Sequence, residues 1–164
     1  MAILDVNTGE SAVSSNPYDD PNQANPSLRA GLMAVDSQFL DAQLNRCVQE
    51  MLEAGGLLAA VLSTPDGLSL AAVETALSSD VLAGLSSLFA DVARRSESLL
   101  EWTVEEVSLV NVQGIRLVTR QFQVDNQYYV LVTVVPANKT YRRVTNVAVR
   151  KLRELLRRPD VSLP

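Results

Sequence analysis

The chain has 164 residues, 47% hydrophobic and 20% charged, with a formal net charge of −5, a size that supports one domain whose core needs neither disulfides nor metal. A single cysteine, Cys47, and the absence of histidine exclude a disulfide framework, a zinc site of the usual kind and any Ser-His or Cys-His nucleophile. No phosphate-cradling, dinucleotide-binding or HExxH pattern occurs, so the chain reads as non-enzymatic, with no catalytic residue, no metal and no cofactor expected.

Charge is unevenly placed. Residues 1–36 carry about −4, residues 37–106 about −8, residues 107–135 about +1 and residues 136–164 about +6, an acidic body with a basic end. No apolar run reaches the ~18 residues needed to span a bilayer. The first residues also lack the basic start and apolar stretch of a secretory signal, and a reducing, cytoplasmic location is expected.

Residues 1–35 hold Pro17, Pro21 and Pro26 among Asn, Ser, Asp and Gly without helical or strand periodicity, and read as a disordered acidic arm. The arm is either a plain tail or a short docking segment through Ala2, Ile3 and Leu4. From Asp36 or Ser37, either of which can cap, Leu40, Leu44, Cys47, Val48 and Met51 recur at i, i+4, i+7, i+8 and i+11, the spacing of one helix face. Cys47 on that stripe reads as a small core residue. Gly55 and Gly56 end the helix.

Next comes the apolar run 57–62, suited to a strand covered on both faces. Thr64-Pro65-Asp66-Gly67 turns the chain, with Gly67 supplying the positive φ that a following bulge requires, and Leu68, Leu70 and Ala72 resume the pattern. Ser78 or Ser79 can cap a second helix reaching about Leu100, with Asp80 set against its positive end. At 100° per residue, Val81, Leu82, Leu85, Leu88, Phe89, Val92 and Leu99 gather on one side, expected to face the sheet. Ala83, Ser87, Ala90, Asp91, Arg94 and Ser98 gather opposite.

Three further strands are expected over 102–111, 115–122 and 127–135, joined at Gln113-Gly114 and Asp125-Asn126. The last is strongly apolar and should be central. Glu105 and Glu106, as strand neighbours, point to opposite faces and cannot share a site without a bulge, which suits an edge or solvated position. Pro136 stops the last strand, Asn138 can cap, and a final helix runs to about Arg158 with Tyr141, Val144, Ala148, Leu152 and Leu155 inward. Arg142, Arg143, Arg150, Arg153 and Arg157 cover the far side, a basic face suited to solvation, to an acidic protein partner, or to nucleic acid or an anionic membrane surface.

The order αββαβββα implies an α+β fold, a five-stranded antiparallel sheet with helices on both faces. The residues GLLAAVLS at 56–63, the PDGLSLA stretch at 65–71, the helix from Asp80 and the final strand and helix together resemble the roadblock family of dynein light chains and their bacterial relatives. The resemblance covers residues 36–158 as the domain, leaving 159–164 as a tail. It implies a profilin-like sandwich that is not itself an enzyme and that dimerises through the central helix and third strand, with a small Ras-like GTPase as a common partner. Carried onto this chain, it places dimer contacts on Trp102, Val104, Val107 and Leu109, and partner contacts on Ala83, Ser87, Ala90, Asp91, Arg94, Arg95 and Ser98. Arg94 and Arg95 could instead act as a finger in trans. The alternative function is an interaction module whose Arg-rich last helix meets nucleic acid or anionic lipid.

Overall fold

Helix α1 (Pro26–Gly55) ends where two glycines allow it. Gly56 takes φ +56°, and the amides of Gly56 and Leu57 bond back to the carbonyls of Glu53 at 3.2 Å and Leu52 at 3.0 Å, a paired closure that satisfies carbonyls the helix leaves open. The structure is a computed structural model that describes residues 26–73 and 77–157, with side chains from residue 37.

The helix begins at Pro26, not at Asp36 or Ser37, so ten residues assigned to the arm are helical. Proline at the first helical position loses no hydrogen bond and comes with φ preset; the expectation for residues 1–25 and for 158–164 lies outside the described residues.

Strands β1 (Ala59–Ser63) and β2 (Ser69–Val73) form the expected hairpin. Gly67 adopts φ +87°, its amide reaches the carbonyl of Thr64 at 3.0 Å, and Thr64 N–H reaches that of Leu68 at 2.9 Å. The register also slips between Leu62 and Ser63, which pair with Ala71 and Ser69 and leave Leu70 as the extra residue of a bulge beyond the turn. After α2 (Ser79–Leu100) come β3 (Glu106–Val110), β4 (Arg116–Val124), β5 (Gln127–Val135) and α3 (Arg142–Leu156). The turns fall at Gly114, φ +81°, and Asp125, φ +52°.

The sheet is antiparallel throughout with strand order β2-β1-β5-β4-β3, so the apolar fifth strand is central and β3 is an edge. One face packs Leu44, Val48, Met51, Leu62, Val118, Leu131 and Leu152 between the sheet and helices α1 and α3. The other packs Val61, Val130, Val132 and Val134 under α2. Each such buried side chain contributes ~1.5–3 kcal/mol. Among the described residues no helix is long and apolar enough to cross a membrane.

Two expected boundaries move. The third strand begins at Glu106, since Glu101 turns left-handed at φ +56° and Glu97 Oε1 holds the Val104 amide at 2.9 Å, keeping residues 102–105 beside the end of α2. Asn138 is a turn residue at φ +63°, and the helix starts at Arg142.

Candidate partner interface

Helix α2 carries two apolar faces, and the larger one points away from the sheet. Leu82, Ala83, Ser86, Phe89 and Ala93 are buried, whereas Val81, Leu88, Val92 and Leu99 are 57%, 63%, 49% and 82% exposed. The expectation that all the large residues face the sheet is therefore corrected. Of the large residues only Leu82 and Phe89 are inward; Leu82 and Ala83 pack on Val61, Val130 and Val132, and the small Ala83, Ser86 and Ala93 let the helix sit close to the sheet. Polar contacts there are also buried: Ser63 Oγ donates to Ser86 Oγ at 2.8 Å, and Ser86 Oγ donates to the Ala83 carbonyl at 2.6 Å.

The assigned partner residues divide accordingly. Ala83 is inside, 3% exposed, and cannot touch a partner. Ser87, Ala90 and Asp91 are half-buried along the flank, and Arg94, Arg95 and Ser98 are exposed. Asp91 pairs with both arginines, Arg95 Nε at 2.9 Å, and the Arg94 guanidinium, with Arg95 behind it, holds the Asp91 carboxyl below the usual carboxylate range. What the sequence reading missed is a seam: Val81, Leu85, Leu88, Val92, Arg95 and Leu99 follow a 4-3-4-3-4 spacing, the interval by which one helix packs along another.

Strand β3 has no strand on its outer side among the described residues. Val107 and Leu109 lie on it, with Leu109 exposed, while Trp102 and Val104 precede the strand; Trp102 is exposed and Val104 half-buried. Glu106 anchors this edge to α3. It accepts a hydrogen bond from Tyr141 Oη at 2.6 Å and pairs with Arg120 at 3.7 Å and Arg142 at 3.6 Å. Arg120 Nη1 also donates to Thr145 Oγ1 at 3.1 Å and to Asn146. Burial, then the Glu106 carboxylate, pushes the Tyr141 hydroxyl up from its ordinary pKa. Glu106 thus sits on an edge strand, with its carboxylate shielded by these partners.

The basic face of α3 is partly engaged. Arg142 joins Glu106, Lys151 reaches Glu50 at 3.1 Å, and Arg153 lies over the Phe122 ring at 5.8 Å. Arg143, Arg150 and Arg157 are exposed and form no ion pair among the described residues. Cys47 is a buried core residue, and desolvation raises its thiol pKa.

Comparison with family models and with curated proteins gives no match. Solved structures do match. An MglB with a tetrameric arrangement superposes with a TM-score of 0.61 at 18% identity, covering 71% of this chain and 89% of that one. MglB of Myxococcus xanthus gives 0.55 at 13%, covering 71% and 86%, and a roadblock/LC7 domain of Streptomyces avermitilis gives 0.55 at 15%, covering 69% and 93%. The resemblance read from the sequence is matched in the arrangement of the backbone: this chain has the roadblock/LC7 fold.

Proposed function

We propose that the chain is a cytoplasmic, non-enzymatic homodimeric regulatory or scaffold module that binds a small Ras-like GTPase and tunes its cycle. The observation that carries this reading is the outward seam of α2, with the outer edge of β3, unpaired among the described residues, as a second surface. Four large apolar side chains in one line are more than scattered surface hydrophobics, and a two-fold axis beside the seam would lay it on its own copy while the β3 edges approach. The GTPase rests on the family resemblance together with the fold.

A regulator of this kind acts by binding one nucleotide state more tightly than the other. Arg94 and Arg95, both turned onto Asp91, favour a role without an arginine finger. Single-turnover GTP hydrolysis by a Ras-like GTPase encoded beside this chain's gene tests the reading. Wild-type protein and the Arg94→Ala plus Arg95→Ala variant should change the rate equally. No effect of either protein on hydrolysis or nucleotide affinity would sink the regulatory role, and loss of effect in the double variant would restore the finger.

One observation supports the alternative of nucleic acid or an anionic membrane. Arg143, Arg150 and Arg157 recur every seventh residue along α3 and its C-cap and form one line of cations without an ion pair among the described residues. Such binding would weaken steeply with salt, so absence of retention on DNA, RNA and acidic vesicles at low ionic strength removes it.

A further inference from the structure

Strand β3 covers only part of β4. Glu106 to Val110 pair with Arg120 back to Arg116, whereas β4 continues to Val124 in register with β5. The Gln121 amide donates to the Glu105 carbonyl at 3.1 Å, which sets the alternation along this end of the strand. Backbone groups of odd-numbered residues here point away from β5. Gln123 therefore presents both its N–H and its C=O outward, with no strand opposite among the described residues. This is an open strand edge, a template for a further strand.

The edge faces a groove of about 1210 Å³ walled by Leu88 and Asp91 of α2 and by Val149, Arg150 and Arg153 of α3. Two observations give the groove a chemical preference. Gln121 Nε2, in its lining, is a buried donor with no acceptor among the described residues. On the α3 side Arg150 and Arg153 form no ion pair among the described residues, whereas Asp91 on α2 pairs with Arg94 and Arg95, and the other acids of the lining, Asp66, Glu97 and Glu105, belong to the hairpin turn, α2 and the approach to β3.

We propose that this groove takes an extended acidic segment of a protein partner, added as a short strand beside β4. Side chains of an added strand alternate between faces. Those turned to α3 meet Arg150 and Arg153 and should be Asp or Glu; those turned to α2 meet exposed Leu88 and should be apolar. The main chain supplies what Gln123 lacks, an N–H and a C=O together, and carbonyls or polar side chains on the α2 side can satisfy Gln121. A phosphodiester backbone carries no N–H to match the Gln123 carbonyl, so the edge favours peptide over nucleic acid. The site meets the α2 seam at Leu88 and does not depend on the GTPase.

The test is an NMR titration of the isotope-labelled full chain with a capped peptide alternating Glu and Val. Expected are shifts of the Gln121 and Gln123 amides and slowed exchange at Gln123, with no binding by a Lys-Val peptide. Affinity should fall at least ~10-fold both on N-methylation of the peptide's central residues and in the Arg150→Ala plus Arg153→Ala variant. Both arginines are exposed, and an otherwise unchanged amide spectrum verifies the variant's fold. Absence of shifts at Gln121 and Gln123, equal binding of the Lys-Val peptide, or indifference to the double substitution overturns the proposal. So does movement of these amides on diluting the protein alone, which assigns the groove to a second copy, or tighter capture of a single-stranded oligonucleotide in the same groove.

Discussion

Replacing Leu88 by alanine separates the two faces of α2. Its side chain is 63% exposed in the monomer, so little of its transfer free energy supports the fold. A dimer formed on the seam covers it. Three carbon atoms at ~0.8 kcal/mol each, scaled by the exposed fraction, give ~1.5 kcal/mol per subunit. Two-fold symmetry doubles this to ~3 kcal/mol, or a ~100-fold weaker dimer constant. Sedimentation velocity over a dilution series measures it, and the thermal midpoint of the diluted monomer should stay close to that of wild type. Leu82→Ala is the control. That residue, six positions earlier and 2% exposed, faces the sheet, and its loss should cost ~2–5 kcal/mol of folding stability. A dimer constant unchanged by Leu88→Ala, with the expected destabilisation by Leu82→Ala, refutes the assignment of the seam to self-association.

Gly67→Ala should destabilise by at least ~1–2 kcal/mol in urea unfolding, because its φ is +87° and an added Cβ would lie 3.0 Å from the Ala83 carbonyl oxygen. Glu106→Ala should cost ~1–3 kcal/mol, since Tyr141 Oη loses its acceptor and Arg120 its paired carboxylate, and should speed amide exchange along β3 more than along β5. The Asp91 carboxyl should titrate below its ordinary value in an NMR pH series, and Arg94→Ala should move it upward. The sign follows from the depressed pKa: any stabilising contribution is present above the unfolded-state value and is lost as pH falls through the folded one.

Most of the architecture could be read from the chain because its local signals agree with one another. The double-glycine helix end, the Pro-Asp-Gly turn and the apolar fifth strand each depend on a conformational or burial requirement that few other residues meet. The start of α1 was not legible, because three prolines and many small polar residues suggested a single arm while Pro26 in fact opens a helix. The early end of the third-strand reading failed for another reason. Residues 102–105 have strand-forming side chains, but a left-handed Glu101 and the Glu97 carboxylate hold their backbone against α2, a tertiary effect that propensity does not contain.

The face of α2 is the instructive case. A hydrophobic-moment argument assumes one apolar side and assigns the bulkiest residues to the core, but burial is decided by the space between helix and sheet. Here the β5 and β1 side chains Val61, Val130 and Val132 occupy much of that space, so the buried row holds Leu82 and Phe89 alternating with Ser86 and Ala93 rather than the full set of large residues. The other bulky residues then need another surface to cover them. Their spacing distinguishes the two sets: the inward positions 82, 86, 89 and 93 are interleaved with an outward 4-3 series from Val81 to Leu99. A helix with both series has apolar residues on more than one side without being buried all round, a pattern that fits a helix packed against its own sheet and against a second helix. Arg95 occupies the one polar position in the outward series, and its pairing with Asp91 on the same subunit lets it lie at the margin without an unpaired charge. The seam gives the helix its partner-facing side, while of the small-residue face assigned to partner contacts only Ala83 is buried; Ser87, Ala90 and Asp91 lie half-buried on the flank, and Arg94 and Ser98 are exposed.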